Sequence, residues 1–187
     1  MMSVALVLGG AECLMDDLGA ARRVLGTLPR VVVAVNHAGA TYPGRIDHWV
    51  TLHPAKFRIW ERRRTGPGTY TRWSWKRGHP LVDERLGHWG KGSSGLYAVT
   101  VARHLGVERI VLCGVPMDGQ GNVDGRKEWE QKEYELHREG WMYHLERIAP
   151  FVRSMSGWTR DLLGEPTEEW LHNGGNHLQQ RRSCRAA

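Results

Sequence analysis

Cysteine is scarce in this chain of 187 residues, which has three, Cys13, Cys113 and Cys184. An odd number of widely spaced cysteines argues against the disulfide framework that stabilises small secreted domains. Paired cysteines and the His-Glu-x-x-His spacing are both missing, so the sequence carries no zinc motif. Cys113 ends an apolar run. We expect it to be a small core residue.

The chain also lacks any apolar run long enough to span a membrane. Its first ten residues lack the positively charged start of a signal peptide. We therefore expect a soluble, cytoplasmic protein. Internal repeats and low-complexity segments are missing as well, and the length fits one domain with a sizeable core.

Short apolar runs, in contrast, are frequent, and turn or polar residues follow each of them. Four have the length of a buried strand: 4–8, 31–35, 48–52 and 109–113. A strand that is apolar on both faces must be covered on both faces, and helical periodicity separates these runs. The sequence therefore predicts an α/β fold, with a mainly parallel sheet flanked by helices on both faces.

Helical periodicity and charge placement predict helices over 16–25, 94–105, about 127–148 and 158–163. Alternation over 151–156 predicts a further strand. We expect residues 1–164 to form a single nucleotide-binding domain. Residues 165–187, which are polar and rich in Gly, Asn and Gln towards the end, are expected to form a C-terminal tail.

Two strands of the predicted sheet end in turns of small residues. The first strand leads into Gly9-Gly10, and the strand at 109–113 ends at Gly114. The helix that precedes this second strand is opened by Gly92-Ser93-Ser94-Gly95. In α/β proteins such turns hold a phosphate at a helix N-terminus. The glycine spacing before Lys91 does not match a P-loop. The sequence thus predicts a nucleotide site, but not a P-loop NTPase.

The net charge of +6 is unevenly distributed. A basic, Trp-rich insertion at about 58–91 interleaves cations with aromatic residues, a pattern that suits polyanions. It favours a lid over an anionic substrate or a nucleic-acid surface, and a solvated loop is the structural alternative. The cations assigned to this phosphate or polyanion lid are Arg62, Arg64, Arg72, Lys76 and Arg77.

The order of these motifs resembles a known superfamily. The motifs are Gly9-Gly10-Ala11-Glu12 after the first strand, Asn36 after the second, His53-Pro54 after the third, Ser94-Gly95 at a helix start, and Cys113-Gly114-Val115-Pro116-Met117-Asp118. Over residues 3–163 the chain is similar to the Rossmann-like superfamily of bacterial sialyltransferases, motility accessory factors and MptE-like 6-hydroxymethylpterin diphosphokinases. The resemblance implies a Rossmann-like fold and a nucleotide or nucleotide-sugar partner.

The resemblance also implies roles for individual residues. His137 matches a general base in the sialyltransferases, and an imidazole suits that role because it titrates near neutrality. His53, at a predicted strand tip, and His144, on the same helix as His137, are the rival candidates. The residues expected to bind the nucleotide are Gly9, Gly10, Glu12, Asn36, Ser93, Ser94, Gly95, Gly114, Met117 and Asp118.

The first loop departs from the sialyltransferase pattern. Gly10-Ala11-Glu12-Cys13-Leu14 stands where that family carries Asn-Gly-Pro-Ser-Leu-type chemistry, so a sialic acid donor is not supported. We expect a transferase that moves a glycosyl-type group from a nucleotide-linked donor to an acceptor hydroxyl. The alternatives are a Mg²⁺-dependent diphosphokinase-like transfer through Asp118, Asp124 and Glu128, and a non-catalytic nucleotide or nucleic-acid binding protein.

Overall fold

The computed structural model describes residues 2–28, 30–119, 121 and 131–173. Within them the strands are β1 (Val4–Leu8), β2 (Arg30–Val35), β3 (His48–Val50), β4 (Thr71–Ser74), β5 (Glu84–Arg85), β6 (Arg109–Cys113) and β7 (Val152–Ser154). The helices are α1 (Leu14–Leu25), α2 (Ala38–Thr41), α3 (Phe57–Glu61), α4 (Ser94–His104), α5 (Gln131–Tyr143), α6 (Leu145–Ile148), α7 (Gly157–Leu163) and α8 (Glu168–Asn173). A 3₁₀ turn, Pro54–Lys56, precedes α3.

The strands form one sheet in the order β5-β4-β3-β2-β1-β6-β7, and every pairing in the described part of the chain is parallel. The chain builds outward from β1 to β5 on one side, then crosses back and adds β6 and β7 on the other. The point where strand order reverses therefore lies between β1 and β6. This is a Rossmann-like α/β fold, and the predicted fold class is confirmed.

Strands β1 and β6 lie inside the sheet. Every residue in them is therefore buried. Alternate residues of β1 point to opposite faces of the sheet. Ala5 and Val7 pack into the cluster formed with α4, α5 and α6, whereas Leu6 and Leu8 pack into the cluster formed with α1 and α3. Two apolar cores, one on each face, thus account for runs with no polar face.

The second core is rich in aromatic rings. Trp49 is fully buried, and its ring contacts Phe57 at 5.6 Å and Tyr70 at 5.2 Å between centroids. Its indole N–H donates to the carbonyl of Asn36 at 2.6 Å. A Cβ on Gly39 would lie 2.1 Å from this indole, so the glycine lets α2 approach β3. Trp49 is therefore a core residue.

The structure places part of the predicted lid segment at 58–91 in the sheet. Its residues contribute β4 and β5, which extend the sheet, and Trp73 on β4 is buried. Arg72 bonds Asp83 at 2.7 Å and Glu61 at 3.3 Å, and the hydrogen bond to Asp83 raises the pKa of Arg72. The cation thus ties β4 to neighbouring segments, which sequence spacing does not reveal.

Arg64 also makes hydrogen bonds within the fold. Its guanidinium donates to the carbonyls of Gly39 at 2.7 Å and Gly44 at 3.0 Å. Burial lowers its pKa. Arg62, Lys76 and Arg77 are exposed. The five predicted lid cations therefore differ in their surroundings: Arg64 and Arg72 bond to protein groups, and the other three are exposed.

The C-terminal boundary also differs from the prediction. Residues 168–173 of the expected tail form α8, whose Leu171 is buried in the second core. Trp170 lies beneath the guanidinium groups of Arg109 and Arg153, at 5.1 and 5.0 Å. Residues 174–187 of the tail, and residues 127–130 at the start of the predicted helix, lie outside the described residues. None of the helices in the ranges given above has the length and apolarity to cross a membrane.

We predict that Trp73→Ala destabilises the protein by about 3–5 kcal/mol, because it empties a buried site on β4 and removes the N–H donor to His48 Nδ1. The matched control is Trp75→Ala, in which the ring is 39% exposed; its cost is expected to be about 1 kcal/mol. Urea unfolding measures both. A loss of only about 1 kcal/mol from Trp73→Ala as well would mean that the segment is peripheral to the fold.

Candidate functional site

One cleft opens at the carboxyl ends of β1, β2 and β6, at the reversal of strand order. In open α/β sheets this is where ligands bind. The cleft is open to solvent, and its empty space, with the solvent at its mouth included, is about 640 Å³. Its lining includes the predicted residues Gly9, Gly10, Asn36, Ser93, Ser94, Gly95, Gly114, Met117 and Asp118. The structure brings them together, and their binding of a nucleotide stays a prediction.

The floor of the cleft is the contact between the loops after β1 and β6. The N–H of Gly9 donates to the carbonyl of Cys113 at 2.8 Å, and that of Ala11 donates to the carbonyl of Gly114 at 3.2 Å. A Cβ on Gly9 would lie 2.1 Å from the oxygen of Gly114. Gly114 itself has a φ of +69°. Only glycines allow these two backbones to approach this closely.

His37 forms a wall of the cleft that the sequence interpretation did not include. Its Nε2 lies 3.2 Å from the carbonyl oxygen of Gly10. A carbonyl only accepts, so Nε2 carries the proton in this contact. A Cβ on Gly10 would lie 2.2 Å from the ring. The glycine loop is therefore held against a buried histidine.

The N-terminus of α4 forms the opposite wall. Ser93 caps the helix, since its Oγ accepts from the N–H of Leu96 at 3.4 Å. Ser94 Oγ accepts from the N–H of Leu52 at 3.3 Å. The N–H groups of Ser94 and Gly95 have no hydrogen-bond partner in the part of the chain that the structure describes. They are first-turn donors at the positive end of the helix dipole.

Asn36 is oriented by a relay of two hydrogen bonds. The N–H of His53 donates to Thr51 Oγ1 at 2.9 Å, and Thr51 Oγ1 donates to Asn36 Oδ1 at 2.8 Å. The amide oxygen is thereby engaged, which leaves Nδ2 as the donor that Thr51 does not use. Asn36 and Met117 both have positive φ, 51° and 54°. Such strained backbone clusters at ligand sites.

Asp17 supports the floor from behind, a role that its position as an acid at a helix start does not predict. Its Oδ2 accepts from the N–H of Gly114 at 2.8 Å and from Ser156 Oγ at 2.7 Å. Ser156 also contacts Cys13 Sγ at 3.3 Å. Burial raises the pKa of Cys13 to about 11. This thiol is protonated near neutrality and is not an activated nucleophile.

The two predicted catalytic histidines lie near each other. Burial lowers the pKa of His137, and the charge of His53 lowers it further, while Glu133 raises it. Tyr134, one turn before His137, lines the cleft. Trp141, one turn after it, lies beside Gly95, whose Cβ would be 3.5 Å from the indole. Helical spacing places His137 on the same side of α5 as these two residues, but neither His137 nor His53 is among the residues that line the cleft.

Other predicted residues lie elsewhere. Glu12 does not line the cleft: its N–H donates to the carbonyl of Gly121 at 3.0 Å and its carboxylate lies beside that residue. No Lys or Arg is among the described lining residues. Asp118 is the acidic side chain there. An anion in this cleft would thus meet backbone donors first.

Among the described residues, no three His, Cys, Asp or Glu side chains are grouped to hold a metal ion. Asp124 and Glu128 lie outside those residues. The predicted Mg²⁺ set is therefore represented by Asp118 alone. One carboxylate together with substrate phosphates can still hold Mg²⁺.

No protein-family model, no curated protein and no solved structure matches this chain. The resemblance to the sialyltransferase superfamily stays an expectation from short motifs. The Rossmann-like architecture itself comes from the observed strand order and parallel pairing.

We predict that Asp17→Ala costs about 1–3 kcal/mol of unfolding free energy, because it leaves the buried N–H of Gly114 without its acceptor. The control is Asp16→Ala, which removes an exposed acid from the same helical turn. Denaturant unfolding compares the two. Losses of the same size would show that helix-dipole charge, not the hydrogen bond, is what Asp17 contributes.

We also predict that His137 titrates below the ordinary histidine pKa of 6.5 and is neutral near pH 7. The unfolded chain then binds more protons below pH 6.5, so the contribution of this group to stability falls on acidification. Proton NMR of the ring gives the pKa. His53→Gln should raise it, since it removes a nearby positive charge; an unchanged value would place the rings too far apart to interact.

Proposed function

We propose that the cleft holds the nucleotide part of a nucleotide-linked donor, and that the protein transfers a glycosyl-type group to an acceptor hydroxyl. The observation that carries the proposal is the convergence of the two glycine loops and the α4 N-terminus at the strand-order reversal. Fold alone does not specify an activity. The proposal therefore depends on the donors that line the cleft and on a base from α5, the helix that supplies Tyr134 to the lining.

The donor phosphates are assigned to the α4 wall. Ser94 and Gly95 supply backbone N–H groups, and the helix dipole favours a negative charge there. Asn36 Nδ2 is assigned to a ribose or phosphate oxygen because Thr51 engages the other end of the amide. These donors are fixed before the ligand arrives. Fixed donors stabilise charge that develops on a leaving phosphate without reorganisation.

His137 is assigned as the general base. As the acceptor oxygen forms its bond to the transferred carbon, its hydroxyl proton moves to the neutral imidazole of His137. The bond from that carbon to the nucleotide phosphate oxygen breaks, and the phosphate leaves with the electron pair. The imidazolium then returns the proton to solvent. The lowered pKa of His137 supports the role, because the ring must be neutral to accept a proton.

A second candidate is a Mg²⁺-dependent diphosphokinase-like transfer. The observation that favours it is Asp118 in the cleft lining, since Mg²⁺ binds through one or two carboxylates plus substrate phosphates. A non-catalytic nucleotide-binding protein would use the same walls without the base.

We further propose a cytoplasmic setting, for which the free thiols of Cys13 and Cys113 are the support.

The test is calorimetric titration with CMP, CDP, UDP, GDP and ATP, with and without Mg²⁺. We expect saturable binding of a nucleotide. Asn36→Asp is nearly isosteric and replaces the N–H donor by a charged acceptor, so it should weaken binding by about tenfold to a hundredfold. Ser94→Arg should fill the α4 wall and abolish binding. Asp16→Ala, remote from the cleft lining, serves as the control and should bind normally.

His137→Ala separates the candidates. Under glycosyl-type transfer it keeps nucleotide affinity and loses turnover. Under diphosphokinase-like transfer, binding requires Mg²⁺ and Asp118→Asn has the larger effect. Normal affinity with no turnover in the unaltered protein favours the non-catalytic alternative. Failure of every nucleotide to bind would overturn the assignment of the cleft.

A further inference from the structure

A second surface of the molecule combines exposed rings with cations. We call it the ring surface, and it consists of residues 75–77, 84–91 and 143–147. Trp75 is 39% exposed and Tyr143 is 71% exposed. These segments carry five cations, Lys76, Arg77, Arg85, Lys91 and Arg147, against two acids, Glu84 and Glu146.

Contacts join the three segments into one continuous surface. The Trp75 ring packs edge-on to His88 at 5.5 Å between centroids, and Arg85 Nε donates to the Trp75 carbonyl at 2.9 Å. Trp89 packs against His144 at 5.4 Å. Ring contacts thus bring segments that are far apart in sequence together at this surface.

Cations lie against these rings. Arg147 lies 4.1 Å from the Trp89 centroid, Lys91 lies 5.6 Å from that of Tyr143, and Lys76 Nζ lies 5.9 Å from that of Trp75. Cation–π pairs at exposed sites stabilise little by themselves. Exposed rings bordered by cations instead match a ligand that alternates flat bases with phosphates.

We propose that the ring surface binds single-stranded nucleic acid. Bases stack on Trp75 and Tyr143, and the flanking cations contact phosphates. A duplex would not offer free base faces, so the rings favour a single strand. The proposal does not depend on the cleft, whose described lining residues include no Lys or Arg.

The test is fluorescence anisotropy of the full chain with a labelled oligothymidylate of about 15 nucleotides, from about 50 to 200 mM salt. We expect binding that weakens with salt. The triple variant Lys76→Ala/Lys91→Ala/Arg147→Ala should make the slope of log affinity against log salt shallower by about 2. Fewer counterions are released on binding when three phosphate contacts are lost. The charge-matched control is Arg22→Ala/Arg23→Ala/Arg160→Ala, which removes exposed cations elsewhere.

Ring variants test stacking separately from charge. Trp75→Ala and Tyr143→Ala should each lower affinity by about tenfold without changing the salt slope. Trp75→Phe keeps an aromatic face and should restore most of the affinity. Thermal unfolding of every variant confirms that it folds.

Three outcomes would overturn the proposal. They are no binding to the oligothymidylate at the lowest salt, equal weakening by the charge-matched control, and tighter binding to a duplex of the same length. Association with anionic lipid vesicles in place of the oligonucleotide would assign the surface to a membrane instead. Nucleotide binding in the cleft is measured separately, so failure here leaves the proposed function standing, and the reverse also holds.

Discussion

The close approach of the loops after β1 and β6 is the constraint on which the site depends. Gly9 and Gly114 meet backbone to backbone, at a distance that leaves no room for a Cβ. Asp17 holds the N–H of Gly114 from behind. Because the two central strands end at this contact, every other wall of the cleft is positioned relative to it. A side chain at either glycine would move the floor as well as fill it.

Rigid support and available donors are combined in the same elements. Thr51 orients Asn36, Ser93 caps α4, and His37 Nε2 donates a hydrogen bond to the Gly10 carbonyl. The donors that remain belong to the Asn36 amide and to the first turn of α4. Binding an anion through backbone and amide donors does not require a cation in the cleft. Backbone and amide donors are what the described lining, which includes no Lys or Arg, presents to the cleft.

The fold followed closely from the sequence, and the site followed in part. Strands β1, β2 and β6 were predicted because apolar runs on both faces fit only a covered parallel strand. The glycine and serine loops were found because parallel strands bring their carboxyl ends to one edge. Asp17 and His37 were missed because a buried acid and a buried histidine look like surface residues in a local window. The hydrogen bonds of Arg64 and Arg72 were not predicted because their partners lie at a distance along the chain.

The sequence by itself determined the layered α/β architecture and the turns that end its central strands, since both depend on local periodicity and on glycine. The tertiary structure alone decided which polar groups meet. It brought His53 near enough to influence the pKa of His137, paired Arg72 with Asp83, and brought the segments of Trp75, Trp89 and Tyr143 to one surface. Those pairings depend on strand order and helix packing over long separations, and no local pattern encodes them.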